Sequence, residues 1–177
     1  MINEIVKKNG VTYGIIIGVV SALLTAGLYA IDLKLFASTW IGALSFTIVL
    51  IVSIVLLINT KKSLANIFSF KDAFTTYFIA ILIGVLISTF FNILLFNFID
   101  PEAKETIGRY LVKFMTETLQ KFGTPASAID ETISKMKENN PFSIPELLKA
   151  IVFSLIGYSI LGLILAAIFK SKTPQQA

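Results

Sequence analysis

Four long stretches of the chain are apolar on every side, with no polar stripe recurring at helical spacing. Val11–Ile31 runs 21 residues without a charge, Phe36–Ile58 runs 23, Ala73–Ile99 runs 27 and Ala150–Phe169 runs 20. A bilayer core about 30 Å thick is crossed by roughly 20 residues of helix. Each stretch therefore predicts a membrane-spanning helix, and the third is long enough to tilt or to project past the hydrocarbon. Helices buried in a water-soluble bundle keep a polar face, and these show none. Lys7 and Lys8 precede the first stretch as a basic segment precedes a signal peptide. The apolar run nevertheless exceeds the roughly 7–15 residues of a cleaved segment, so it reads as a retained span.

The connections differ in length and chemistry. Asp32–Leu35 predicts a tight turn that pairs the first two spans as a hairpin. Asn59–Asp72 is a polar loop with Lys61, Lys62 and Lys71. Residues 100–149 form a hydrophilic insert of 50 residues that holds 15 of the 26 charged side chains. In the insert, Asp100-Pro101-Glu102 predicts an N-cap with proline in the first turn. Ile107, Tyr110, Leu111, Phe114, Met115, Thr118, Leu119 and Phe122 then recur at steps of three and four, the pattern of an amphipathic helix over about 101–122. Glu105–Arg109 and Glu117–Lys121 stand at the spacing that favours ion pairs on its other face. Gly123-Thr124-Pro125 predicts a C-cap followed by an N-cap at Thr124. A second helix runs to about Glu138 with Ala126, Ile129, Ile133 and Met136 on one face. Two fates are open to these apolar faces: packing on each other and on the span ends, or contact with lipid headgroups or a partner. Ser69-Phe70-Lys71-Asp72 and Ser143-Ile144-Pro145-Glu146 have the form of capping boxes at the starts of the third and fourth spans.

The fold class that follows is all-α: a polytopic membrane protein of four spans in a bundle, with a helical hairpin between spans three and four. An even number of spans puts both termini on one side. That side has seven cations in 32 residues, against eight cations and nine acids in the 54 residues of the other. Short basic loops stay inside, so both termini are expected to be cytoplasmic and the insert extracytoplasmic. Trp40 fits an interfacial aromatic.

Composition narrows the chemistry. Apolar residues make up 55% and charged residues 15%, with a mean hydropathy of +0.83. The chain has no cysteine and no histidine, which excludes disulfides, thiol nucleophiles, Cys/His zinc sites and imidazole triads. No paired-carboxylate motif or phosphate loop stands out, so no catalytic, cofactor-binding or metal-binding residue is assigned, and the chain does not read as an enzyme. The net charge of +4 follows the loops that flank the spans and does not read as a nucleic-acid surface.

Within the spans, small residues recur every fourth position: Gly10, Gly14, Gly18, Ala22, Ala26 and Ala30 in the first, Ala80, Gly84, Ser88 and Asn92 in the third, Ser154, Gly162 and Ala166 in the fourth. Small faces let helix backbones approach closely where lipid supplies no hydrophobic drive. These are expected as seams inside one bundle, or as a seam to a second copy. Asn92 is the most polar residue deep in a span, with Ser88 one turn before it. It is expected either to hydrogen-bond to Tyr158 or Ser154 across helices, or to line a polar path. No Asp, Glu, Lys or Arg lies in any of the four stretches, which weighs against an ion-coupled carrier.

The four spans, the Ser69-Phe70-Lys71-Asp72-Ala73-Phe74 run, Asp100-Pro101-Glu102, the Asn140-Pro141-Phe142 box and the last span ending Gly162-Leu163-Ile164-Leu165-Ala166-Ala167-Ile168-Phe169-Lys170 resemble the bacterial membrane family called domain of unknown function 4199, typical of the Bacteroidetes. The resemblance implies an inner-membrane protein without an assigned activity, and an accessory role in envelope glycan or lipid metabolism. The expected function is a non-catalytic accessory or scaffold subunit whose partners are the bilayer and a membrane protein or a second copy. The alternative is a small-molecule or lipid transporter without intramembrane charges.

Overall fold

The computed structural model describes residues 2–171; Lys172 of the basic tail lies outside them. Among the described residues all regular structure is helical. The six α-helices are α1 (Glu4–Ile31), α2 (Thr39–Ser63), α3 (Phe70–Leu94), α4 (Pro101–Lys121), α5 (Ala126–Glu138) and α6 (Ile144–Phe169). A π-helical turn, Leu95–Ile99, continues α3. α1, α2, α3 with its continuation, and α6 are each long and apolar enough to cross a membrane. Two ends can be defined. The terminal end holds the start of α1, the α2–α3 loop and the end of α6; the hairpin end holds the α1–α2 turn, α4 and α5.

α3 is the central element, packed on α1, α2 and α6. α1 and α3 run parallel and meet along the glycine row. A Cβ placed on Gly10, Gly14 or Gly18 would stand 2.9, 2.8 and 2.6 Å from the Cβ of Ile79, Ile83 and Ile87. Each isoleucine lies 69 positions after its glycine, so the contact repeats like rungs. Ile17 fills the reverse notch at Gly84, and Tyr77 lies flat over Gly162 of α6. The glycine seam is therefore internal, and Gly10, Gly14 and Gly18 are buried by α3. Ala22 and Ala26 continue the row half-buried, whereas Ala30 is exposed.

Several local expectations change. The first connection is longer than a four-residue turn: Leu33–Ala37 winds as a 3-10 turn and α2 begins at Thr39, not Phe36. Asp32 Oδ1 accepts the Lys34 N–H at 2.8 Å, which starts the turn and swings Phe36 into an aromatic cluster. Thr124 does not cap α5. Its N–H instead donates to Leu119 O while Gly123 N–H donates to Gln120 O, closing a Schellman motif around Gly123 at φ +70°. Pro125 is left as the N-cap. Ser69 does form its box, accepting the Asp72 N–H at 3.0 Å and donating to the Asp72 carboxylate at 2.6 Å. Ser143 is an N-cap without a side-chain bond: Pro145 removes one of the N–H groups it could accept, and Glu146 turns to Lys149 at 2.6 Å. The ion pairs expected at Glu105–Arg109 and Glu117–Lys121 are not formed; among the described residues the pairs are Lys135–Glu131 and Lys149–Glu146.

Candidate functional site

The burial pattern divides the long helices into two halves. In α2 the buried residues are Val49, Ser53, Leu56, Leu57 and Thr60, and none lies between Thr39 and Ile48. In α6 none lies between Leu147 and Gly162. In α1 burial stops after Gly18 and resumes at Leu28; in α3 it stops after Gly84 and resumes at Leu95. The helices thus converge toward the terminal end and splay toward the hairpin end.

The terminal half is closely packed. Leu56, Leu57, Phe68, Tyr77 and Ile81 form its core with Leu165 and Ala166. At its rim Asn9 Nδ2 donates to Thr60 Oγ1 at 3.1 Å, and Asn59 donates to the Tyr13 hydroxyl. Phe68 and Ser171 are joined by two bonds, Phe68 N–H to Ser171 Oγ at 2.9 Å and Ser171 N–H to Phe68 O at 2.7 Å. These tie the α2–α3 loop to the end of α6.

Where the helices splay, a two-lobed cavity opens. One lobe, of about 260 Å³, lies between α1, α2 and α3 and is walled by Thr25, Ser45, Ile41 and Ile48 among others. The second, of about 230 Å³, reaches toward α6 at Thr89, Ser154 and Tyr158. Ser21, Ser88 and Asn92 line both lobes. No charged side chain lines either one. The structure places Ser88, Asn92 and Tyr158 on the walls of the second lobe. The expected bond from Asn92 to Tyr158 or Ser154 is not made. Asn92 Oδ1 is buried and has no hydrogen-bond partner. The Ser88 hydroxyl donates back to Val85 O at 3.1 Å, and Ser45 donates to Ile41 O at 2.9 Å. Ser53 Oγ and Tyr77 OH are also unpaired, but neither lines the cavity.

Sequence reasoning missed Ser21, Thr25, Ser45 and Thr89. Their signal was height: each lies in the part of its span nearer the hairpin end, level with Ser88 and Asn92.

A roof of aromatic rings closes the hairpin end. Phe142 meets Phe96 and Phe36 edge to face, with centroids 4.8 and 5.7 Å apart. Phe36 and Phe142 also line the first lobe. Polar bonds hold the roof. Asn97 Nδ2 donates to Phe142 O at 2.9 Å, Phe142 N–H donates to Asn140 Oδ1 at 3.0 Å, and Asn140 Nδ2 donates to Lys104 O at 3.2 Å. The Asn-Pro-Phe box is thus a strap between the π turn, α4 and the start of α6. Asp100 anchors the other side, accepting Tyr29 O–H at 2.8 Å and Ala103 N–H at 3.0 Å. The Ala103 bond, reinforced by the Tyr29 bond, holds the Asp100 carboxyl below its ordinary pKa.

A separate open groove of about 640 Å³ runs outside the roof between the 3-10 turn and α4, with Asp32, Lys34, Trp40, Lys113 and Glu117 on its walls. Among the described residues no three acidic, cysteine or histidine side chains come together as metal ligands would.

No curated protein and no solved structure matches the chain. The family described as Protein of unknown function (DUF4199) matches residues 12–171, which takes in α1 from Thr12 onward, the other three long helices, the roof and both lobes of the cavity. The chain belongs to that family.

Proposed function

We propose that the chain is a non-catalytic accessory protein of the bacterial inner membrane, a four-helix membrane bundle whose splayed half receives a lipid or small molecule. One observation carries this reading: an uncharged cavity between the apolar helices, lined by Ser21, Ser88, Asn92, Ser154 and Tyr158. A non-catalytic role is supported by the state of the carboxylates. The Asp72 carboxylate accepts the hydroxyl of the Ser69 cap, Asp100 caps α4, and Glu131 and Glu146 are paired with lysines on their own helices. The lysines of the terminal end support placing it in the cytoplasm. Passage through the bundle, as in a transporter, would require the packed terminal half to open. That favours a receiving or presenting role over a continuous path.

The native chain has no cysteine, so single cysteines report without background. With the protein in its membrane, Ser88→Cys is expected to react with a small uncharged maleimide at least ten times faster than Leu57→Cys. Equal rates would remove the chamber. An impermeant reagent in intact cells should label Thr124→Cys and spare Ser63→Cys; the reverse would invert the orientation.

A further inference from the structure

We propose that the open groove outside the roof holds the headgroup of a zwitterionic phospholipid of the phosphatidylethanolamine kind. The groove is separate from the chamber, and its occupancy does not depend on the chamber being filled. One wall is the 3-10 turn with the first turn of α2. The other is one face of α4, where Tyr110, Lys113, Phe114 and Glu117 stand three and four positions apart. The space between the walls is about 640 Å³, within the roughly 300–1,000 Å³ of small-molecule sites.

Height places the groove at the membrane boundary. α2 is long and apolar enough to cross the bilayer and begins at Thr39. Thr39 and Trp40 line the groove, and Trp40 is 83% exposed, as suits an aromatic ring at the headgroup level. A second hollow, of about 460 Å³, shares Ala37, Ser38, Thr39 and Phe114 with the groove and continues it along α2 past Gly42 and Ala43. No charged side chain lines this trough, and a Cβ placed on Gly42 would meet no neighbouring element within 4 Å. The surface thus passes from charged to apolar on entering the span, which is the profile of a phospholipid.

Charge selects among headgroups. Each wall carries one acid and one lysine: Asp32 and Lys34 on the turn, Lys113 and Glu117 on α4. None of the four belongs to an ion pair among the described residues. Lys113 and Glu117 have the spacing of a helical pair but the less favourable order. The walls are therefore neutral in sum and still present unpaired charges of both signs. An anionic headgroup would gain two lysines and meet two carboxylates. A zwitterion uses both, its phosphate accepting from the lysines and its ammonium donating to the carboxylates. A quaternary ammonium has no N–H to donate, so the primary amine of ethanolamine is the better match.

Trp40 is the only tryptophan in the chain, so its fluorescence reports lipid at the groove. The full chain is placed in vesicles that mix dioleoylphosphatidylethanolamine with phosphatidylglycerol brominated on its acyl chains, and quenching of Trp40 is followed as the ratio changes. Phosphatidylethanolamine is expected to displace the brominated lipid about fivefold more effectively than its share of the vesicle, the most that one exposed ion pair supplies. Glu117→Gln is expected to abolish this preference, and Glu138→Gln, outside the groove, to leave it. Displacement in proportion to composition would overturn the proposal. So would a preference for phosphatidylglycerol, which would mark the groove as an anion site. A preference that survives Glu117→Gln would overturn the pairing of ammonium with carboxylate. Trp40 quenching reads the groove and Ser88→Cys labelling reads the chamber, so either can fail while the other stands.

Discussion

Both halves of the long helices are predominantly apolar, yet one is close-packed and the other hollow. The terminal half brings glycine against isoleucine on successive rungs, so α1 and α3 meet with no room for a methyl group. In the hairpin half serine, threonine and asparagine line the space between the helices, and α2 and α6 stand away. In a bilayer, apolar side chains gain little by leaving lipid for protein, so shape and hydrogen bonding decide where helices touch. Glycine supplies shape at one end. At the other, small polar side chains leave space and unmet bonds.

The largest effect is expected where the rungs are tightest. Gly14→Leu would drive a side chain into Ile83 and the Ala80 backbone, which its Cβ alone would approach to 2.8 and 2.9 Å. Overpacking of this kind costs about 3 kcal/mol, and the melting temperature in mild detergent should fall sharply or the chain should fail to assemble. A stable Gly14→Leu protein would mean that the α1–α3 contact is not the spine of the fold. Phe142→Ala comes next. It removes one ring from the roof, where Phe142 is half-buried, at a cost of about 2 kcal/mol, less than for a fully buried phenylalanine. The loss should be accompanied by faster labelling of Ser88→Cys, because the chamber loses a wall.

Gly157→Ala is the control. Nothing lies within 4 Å of a Cβ there, so helix propensity alone operates and stability should rise by up to about 1 kcal/mol. A loss like that of Gly14→Leu would show that the two kinds of glycine are equivalent. Acid should act on the hairpin end. The Asp100 carboxyl has its folded pKa lowered from the ordinary 3.8, so its contribution is fully present above that value and is lost as pH falls through the lowered one. Asp100→Asn should remove this acid sensitivity, with melting followed across acidic pH.

Much of this fold was readable in the chain because spans in lipid announce themselves by length and by the absence of charge. The glycine row was readable because its period matches one helical face. Its partner was not, since Ile79, Ile83 and Ile87 sit in a helix where every face is apolar. Leu57 is buried while its neighbour Ile58 is 37% exposed, and nothing in hydropathy separates them. For the same reason the splay of α2 was invisible. The cavity was half visible: Ser88, Asn92 and Tyr158 stood out as polar residues within one helix each. Ser21, Thr25 and Ser45 join them only when the spans are laid side by side by height. Phe36 was misplaced into a span because apolar character alone cannot tell a lipid-facing ring from one folded beneath a strap.

The parallel run of α1 beside α3 has a structural corollary. Two helices pointing the same way need a return stroke between them, and α2 supplies it without standing between the rungs. The cohesion of the pair therefore does not pass through the hairpin-end stretch of α2. Residues such as Ser45 and Ile48 can change in size or polarity and re-tailor the compartment, while the backbone spine that holds it up stays as it was.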